Sequence, residues 1–166
     1  MVRSFESMNR LNKGDLVVLK NSLGKTIDSD ELQNVPSVYS AFYKTHILNW
    51  QEEPAKEPAY FVAACIWALQ GQNGSYEFAE AWSIYTKKKN SESLNLRMNR
   101  LLDMDFDERF VDTLAGMIKM LHTEGFSVNC ETLAEDLWSF MWNKKQIQRK
   151  WFRIIHKVKE DDEDRR

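Results

Sequence analysis

The chain has 166 residues, 43% of them apolar, and a formal net charge of −2; this fits one compact domain or two small packed lobes with a core. Six glycines and three prolines leave few helix breakers, so long helices are favoured. The near-neutral total does not exclude a polyanionic partner, because binding follows the local field rather than the sum.

Phe5 to Leu11 and Asp15 to Leu23 read as two helical pieces broken near Asn12–Gly14. Leu16, Leu19 and Leu23 line one side of the second piece, Lys20 lies off that stripe, and Gly24 stops the helix. Asp28 with Glu31 predicts a capping box for a short helix. Pro36 opens the next, with Val38, Tyr39, Phe42 and Tyr43 as its aromatic face, and Gln51 to Pro58 is a polar connector. Tyr60 to Gln70 is apolar almost all round and predicts a buried helix. The loop Gly71–Ser75 (GQNGS) lacks the Lys-Ser/Thr ending of a phosphate-binding loop and is assigned no nucleotide role. Phe78 to Tyr85 turns Phe78, Trp82 and Tyr85 inward, and Lys87–Lys89 with Asn90 end it in a basic turn.

Leu94 to Leu102 carries Leu94, Met98, Leu101 and Leu102 inward, with Arg97 and Arg100 displaced from that set. Asp105 with Glu108 predicts a second capping box, opening a long helix with core positions Phe106, Phe110, Leu114, Met117 and Leu121. Gly125 stops it, and Asn129 caps a helix from Glu131 to Trp142. Neither an internal repeat nor a convincing strand is present in the pattern. The expected fold is all-α and two-lobed: an N-terminal helical lobe over 1–90, a C-terminal antiparallel four-helix bundle over 91–159, and a charged, disordered tail over 160–166.

The last helical segment, Asn143 to Lys159, holds seven Lys or Arg and no acid. Ile147, Trp151, Ile154, Ile155 and Val158 form an apolar stripe, while Lys145, Arg149, Arg153 and Lys157 fall four apart on the opposite side. Like charges at that spacing repel by about 0.2–0.5 kcal/mol per pair. A plain solvated face mixes in glutamates and avoids that cost, so this helix reads as one that faces a polyanion. Charge elsewhere is segregated too. Asp28 to Glu57 holds six acids against two bases, Leu101 to Asp136 nine against two, and Lys87 to Arg100 one against five.

The chemistry of catalysis is not legible. His46, His122 and His156 are scattered. Asp103, Asp105 and Asp107 mimic the start of a calcium loop, but Glu108 stands at the turn-glycine position and Leu114 at the twelfth. These acids suit a helix N-terminus instead. Cys65 and Cys130 have no metal or disulfide spacing and read as reduced core thiols. No Ser or Cys sits in a nucleophile motif. The expectation is no enzyme, no metal and no cofactor. Trp138 and Trp151 fall on apolar stripes and read as core, with Trp142 open to either role. The longest apolar run, Tyr60 to Leu69, is too short to cross a bilayer, and the first ten residues carry no apolar secretory region. A soluble, cytoplasmic protein without a membrane partner is expected.

Laid out in order, these motifs resemble the small subunit of the type I-E CRISPR surveillance complex, Cascade (the CasB family), from about Leu11 to His156. DELQNVPSVYSAFYK at Asp30–Lys44 resembles the family's acidic turn and aromatic helix, and FAEAW at Phe78–Trp82 its small-residue helix. SESLNLRMNRLL at Ser91–Leu102 resembles the segment where paired basic residues precede two leucines. MIKMLHTEGFSVNCETLAEDL resembles the next helix pair, and QRKWFRIIH the terminal basic-aromatic helix. The resemblance implies a prokaryotic antiviral-defence protein, all-helical, two-lobed and without catalytic activity. Two copies would sit head to tail beside the large and backbone subunits. They would contact guide RNA and target DNA, and hold the displaced strand of the R-loop through basic side chains.

By position, Lys20, Arg97, Arg100, Lys119, Arg149, Lys150 and Arg153 fall where the family is basic, and Lys144 and Lys145 join them as nucleic-acid-binding candidates. Leu96 and Glu135 stand where the family is usually basic, and Cys130 where it commonly has tryptophan; Lys87–Lys89 and Lys144–Lys145 are the nearby charges available to compensate. Two other readings remain open on the residues alone. One is a helical protein adaptor whose basic helix docks on an acidic partner. The other is a helix-turn-helix regulator over Asn129–Lys159, for which Asn143 and Gln146 offer little base-reading chemistry.

Overall fold

The structure, a computed structural model, describes residues 5–164, with side chains described for 5–157. Helices dominate: a 3-10 turn Phe5–Arg10, α1 Lys13–Asn21, α2 Asp30–Gln33, α3 Pro36–Lys44, a 3-10 turn Pro54–Lys56, α4 Glu57–Gln70, α5 Phe78–Lys89, α6 Glu92–Asp103, α7 Glu108–Thr123, α8 Cys130–Trp142 and α9 Lys144–Asp164. The protein is all-α. Among the described residues the only extended pairing is the isolated bridge between Tyr76 and Val128.

Local chemistry explains most helix ends. Asn12 caps α1 by accepting from Asp15 N, Ser91 caps α6 by accepting from Leu94 N, and Asn129 caps α8 by accepting from Thr132 N. Asn90, in the left-handed conformation at φ 50°, ends α5. Both expected capping boxes are corrected. The N-cap of α7 is Asp107, whose carboxylate accepts from Phe110 N at 3.0 Å. Ser29 rather than Asp28 precedes α2, and its hydroxyl donates to Glu108 at 2.7 Å. Glu108 is thereby engaged by a residue 79 positions away in the chain, a partner invisible to local spacing. The first helical piece is a 3-10 turn, pinned at Phe5 N by the Glu131 carboxylate at 2.8 Å.

The packing is organised on α4. Nine of its residues are buried, from Ala59 to Trp67 without a gap, so every face needs a partner. It lies against α8 on one side and α1 on another. One apolar cluster then runs from Phe5 to Trp151 across both sides of residue 90. Helix α9 packs on α5 and α8. Cys65 and Cys130 are buried free thiols, and burial pushes both thiols up from their ordinary value, so neither is a ready nucleophile.

The GQNGS loop is a structural weld. Gly74 N donates to Val128 O at 2.9 Å, and Asn129 N to Tyr76 O at 2.7 Å. Gln70 holds Val128 by both its backbone groups, and Asn73 accepts from Cys130 N. A Cβ on Gly74 would fall 1.9 Å from Ser127 O, so glycine is required there by the close approach of two backbones.

Candidate nucleic-acid interface

Helix α9 is oriented by its inner side. Ile147 and Trp151 are 2% and 1% exposed, and the Trp151 ring meets Phe78 of α5 edge-on at 5.2 Å. Beneath it, the buried Asp136 carboxylate of α8 accepts from Trp151 Nε1 at 3.1 Å and from Lys150 Nζ at 2.8 Å. Lys150 also reaches Glu77 at 3.7 Å. At the start of the helix Lys144 donates to the Asp103 carbonyl at 2.8 Å, lies 3.6 Å from Asp105, and sits over the Phe140 ring. Gln148 donates to the Leu102 carbonyl. These contacts set the start of α9 against the end of α6, with 144 at 103 and 148 at 102, and further on Phe152 and Ile155 face a cleft that Met98 and Asn95 also line.

With α9 so fixed, its outer side carries Lys145, Arg149, Arg153 and Lys157, all exposed. None of the four makes an ion pair with a described residue. Arg149, Phe152, Arg153, His156 and Lys157 line an open groove. Three cations thus follow one another four residues apart, about 6 Å along the axis, beside an aromatic ring. That arrangement suits a row of phosphates with a surface for an apolar base or side chain.

The other candidates are distributed over further surfaces. Arg97 turns from α6 toward α7 and donates to Met120 Sδ at 3.4 Å, on the helix that also carries Lys119. Arg100 is exposed on the outer side of α6, next to Leu96, itself 47% exposed. Lys20 lies near the end of α1, a helix that packs chiefly on α3 and α4. One turn beyond it, a side chain at Gly24 would meet Asp112 and Ala115 of α7, so the α1 end approaches the helix that carries Lys119. Lys20, Arg97, Arg100 and Lys119 have no ion-pair partner among the described residues, unlike Lys144 and Lys150, whose charges are answered within the fold.

Glu135, where the resemblance leads one to expect a base, has a local reason to be acidic. It accepts from the Tyr60 hydroxyl and lies 3.3 Å from Lys56 Nζ, tying α8 to α4 and to the turn before it. Burial and then the Glu135 hydrogen bond push the Tyr60 hydroxyl well above the ordinary tyrosine range. Val158 of the apolar stripe and the side chains of the 160–166 tail lie outside the described residues.

Sequence reasoning put Lys157 in the cationic row with Arg149 and Arg153 without naming it a binding candidate, and left Phe152 and His156 out. Phe152 was concealed by its neighbour Trp151, which is the core residue of the pair. Among the described residues no cluster of three metal-ligating side chains occurs, and no helix is long and apolar enough to cross a membrane.

The comparisons with known proteins agree with this architecture. The CasB protein of M. ruber superposes with a TM-score of 0.71 at 20% identity, over 98% of each chain. A Cse2-family CRISPR-associated protein from Thermus thermophilus gives 0.71 at 18%, over 92% of this chain and 94% of that one. A chain of a CRISPR RNA-guided surveillance complex gives 0.73 at 12%, over 97% and 98%. At such identities the likeness shows the fold. No curated protein matches at the sequence level. The family model of CRISPR-associated protein Cse2, however, matches residues 19–154, from the end of α1 through the basic stretch of α9: the chain belongs to the Cse2 family.

Proposed function

We propose that this chain is the non-catalytic small subunit of an RNA-guided CRISPR surveillance complex of the Cascade type. Its task is to hold nucleic-acid backbone through basic side chains and so stabilise the R-loop and its displaced DNA strand. The carrying observation is the α9 groove, where Arg149, Arg153 and Lys157 stand in a row with no carboxylate among the described residues to answer them. Membership of the family and the fold shared with a surveillance-complex chain support the setting.

The physics required is electrostatic holding. Exchanging DNA–DNA for RNA–DNA pairs is close to balanced, so backbone contacts tip it. Arginine and lysine contact phosphates without reading sequence, and the affinity they supply falls steeply with salt. Lys145 lies on the same side of α9, while Arg97, Arg100, Lys119 and Lys20 would add cationic contacts on separate surfaces. Lys144 and Lys150 set the angle of α9. Trp142, 63% exposed at the end of α8, suits contact with a protein neighbour: the large subunit, a backbone subunit or a second copy of the chain.

The test is Arg149→Ala with Arg153→Ala in the assembled complex, read as target binding against salt. Binding should weaken at all sequences alike, and the log–log salt slope should fall by about 0.7 per lost single-strand phosphate contact. An unchanged slope refutes the phosphate role of both residues and favours a purely proteinaceous partner for α9.

A further inference from the structure

A second cavity adjoins the groove. Between α5, α6 and α9 lies a cleft of about 180 Å³, walled by Trp82, Ser83, Asn95, Asn99, Phe152 and His156, among others. Phe152 and His156 border both the cleft and the α9 groove, so the two form one continuous surface.

Two buried groups lie in its wall residues: Trp82 is 1% and Ser83 3% exposed, and neither Trp82 Nε1 nor Ser83 Oγ, both shut off from solvent, has a hydrogen-bond partner among the described residues. Native proteins satisfy nearly all such groups, so each one left over calls for an explanation. By contrast Thr86, one turn further along α5, is satisfied by the Ser83 carbonyl. The side-chain amides of Asn95 and Asn99, one turn apart on α6, also make no hydrogen bond within the described fold. An indole N–H only donates, a hydroxyl does either, and each amide does both. The cleft therefore offers mixed donors and acceptors at an aromatic edge, with neither an acid nor a lysine in its wall.

We infer that this cleft receives a base of the strand whose phosphates lie on Arg149, Arg153 and Lys157, an inference that rests on the phosphate reading proposed above. A nucleobase is flat, with an apolar face for Phe152 and an edge of alternating donors and acceptors for the two exposed amides. The cationic rim selects a ligand carrying negative charge directly beside that flat group. A nucleotide within a single strand has both in one residue. The cleft would thus hold one base splayed from the stack, giving the small subunit a grip on unpaired strand that duplex cannot share.

The experiment is fluorescence anisotropy of the full chain with two labelled strands of equal length and charge, one oligothymidylate and one abasic throughout. Oligothymidylate should bind about tenfold more tightly, the scale of one stacked and hydrogen-bonded base. The surface variant Asn95→Ala/Asn99→Ala, with its melting curve unchanged, should lower oligothymidylate binding toward the abasic level and leave abasic binding as it was. Arg149→Ala/Arg153→Ala should weaken both strands. Equal affinity of the unaltered chain for the two strands overturns the base cleft and leaves the phosphate reading intact. A preference that survives the asparagine variant also overturns it, because the base contact then lies elsewhere. Binding of neither strand overturns the cleft together with the reading beneath it.

Discussion

Two stretches of this chain are conspicuously basic, the end of α5 at Lys87–Lys89 and α9 from Lys144 to Lys159, and the fold treats them differently. At the end of α5, Lys89 lies 2.8 Å and Lys88 3.9 Å from the Glu124 carboxylate at the end of α7. Lys89 also sits over the Tyr85 ring. These charges suit a helix C-terminus and close a seam between two helices. On α9 the division falls within one helix: Lys144 is tied to the Asp103 carbonyl and Lys150 to the buried Asp136, while Arg149, Arg153 and Lys157 face out unanswered among the described residues. Charge density along a sequence thus says little about a binding surface. The deciding quantity is charge left over once the protein's own carboxylates have been assigned.

The sharpest way to break this contrast is to remove the acid that separates the two sides of α9. Asp136→Ala leaves Lys150 and the Trp151 indole without their shared acceptor, and should cost about 3 kcal/mol of stability in urea unfolding. The solvent access of Lys150 keeps that figure below the cost of a fully buried broken pair. Strand binding, measured where the variant is still folded, should rise or hold, since a positive charge is freed beside Arg149. Loss of binding with stability unaltered would mean that Asp136 contacts the ligand itself.

A second change addresses the other basic stretch. Lys88→Ala with Lys89→Ala removes as many charges as the Arg149/Arg153 pair but should leave the salt slope of strand binding near its original value. A fall equal to that of the arginine pair would show that net charge, not placement, governs the affinity. The smallest expected effect concerns pH. The hydrogen bond from Lys89 holds the Glu124 carboxyl below the ordinary glutamate range, and the same bond holds Lys89 above the ordinary lysine range. The Glu124 contribution stands above the unfolded carboxylate value of about 4.3 and fades as pH falls through its depressed folded value. The Lys89 contribution stands below the ordinary lysine value and fades as pH rises through its raised one. Both groups lie at the surface, so the effect is a small shift in melting temperature that Glu124→Gln should abolish.

The buried helix at Tyr60–Gln70, the glycine turns at Gly71 and Gly125, and the Asn129 cap were legible because each depends on a few neighbours in the chain. The caps at Asp28 and Asp105 were misplaced for a complementary reason: Glu108 is engaged by Ser29, and Asp107 outcompetes Asp105 by meeting Phe110 N. Similarly, nothing near Glu135 in sequence announces Tyr60 and Lys56, the partners that account for its sign.

Helical periodicity, an apolar α4 and an acid-free stretch from Asn143 to Lys159 are properties of spacing and composition, and spacing and composition alone settled that the chain is all-helical with one strongly cationic face. Which cations remain available to a partner was decided only by packing. Lys150 and Arg149 are adjacent in the chain and of the same charge, yet a helix turns about 100° between them. That rotation carries Lys150 onto Asp136 and leaves Arg149 on the groove, because a carboxylate some fourteen residues back lies under one and not the other.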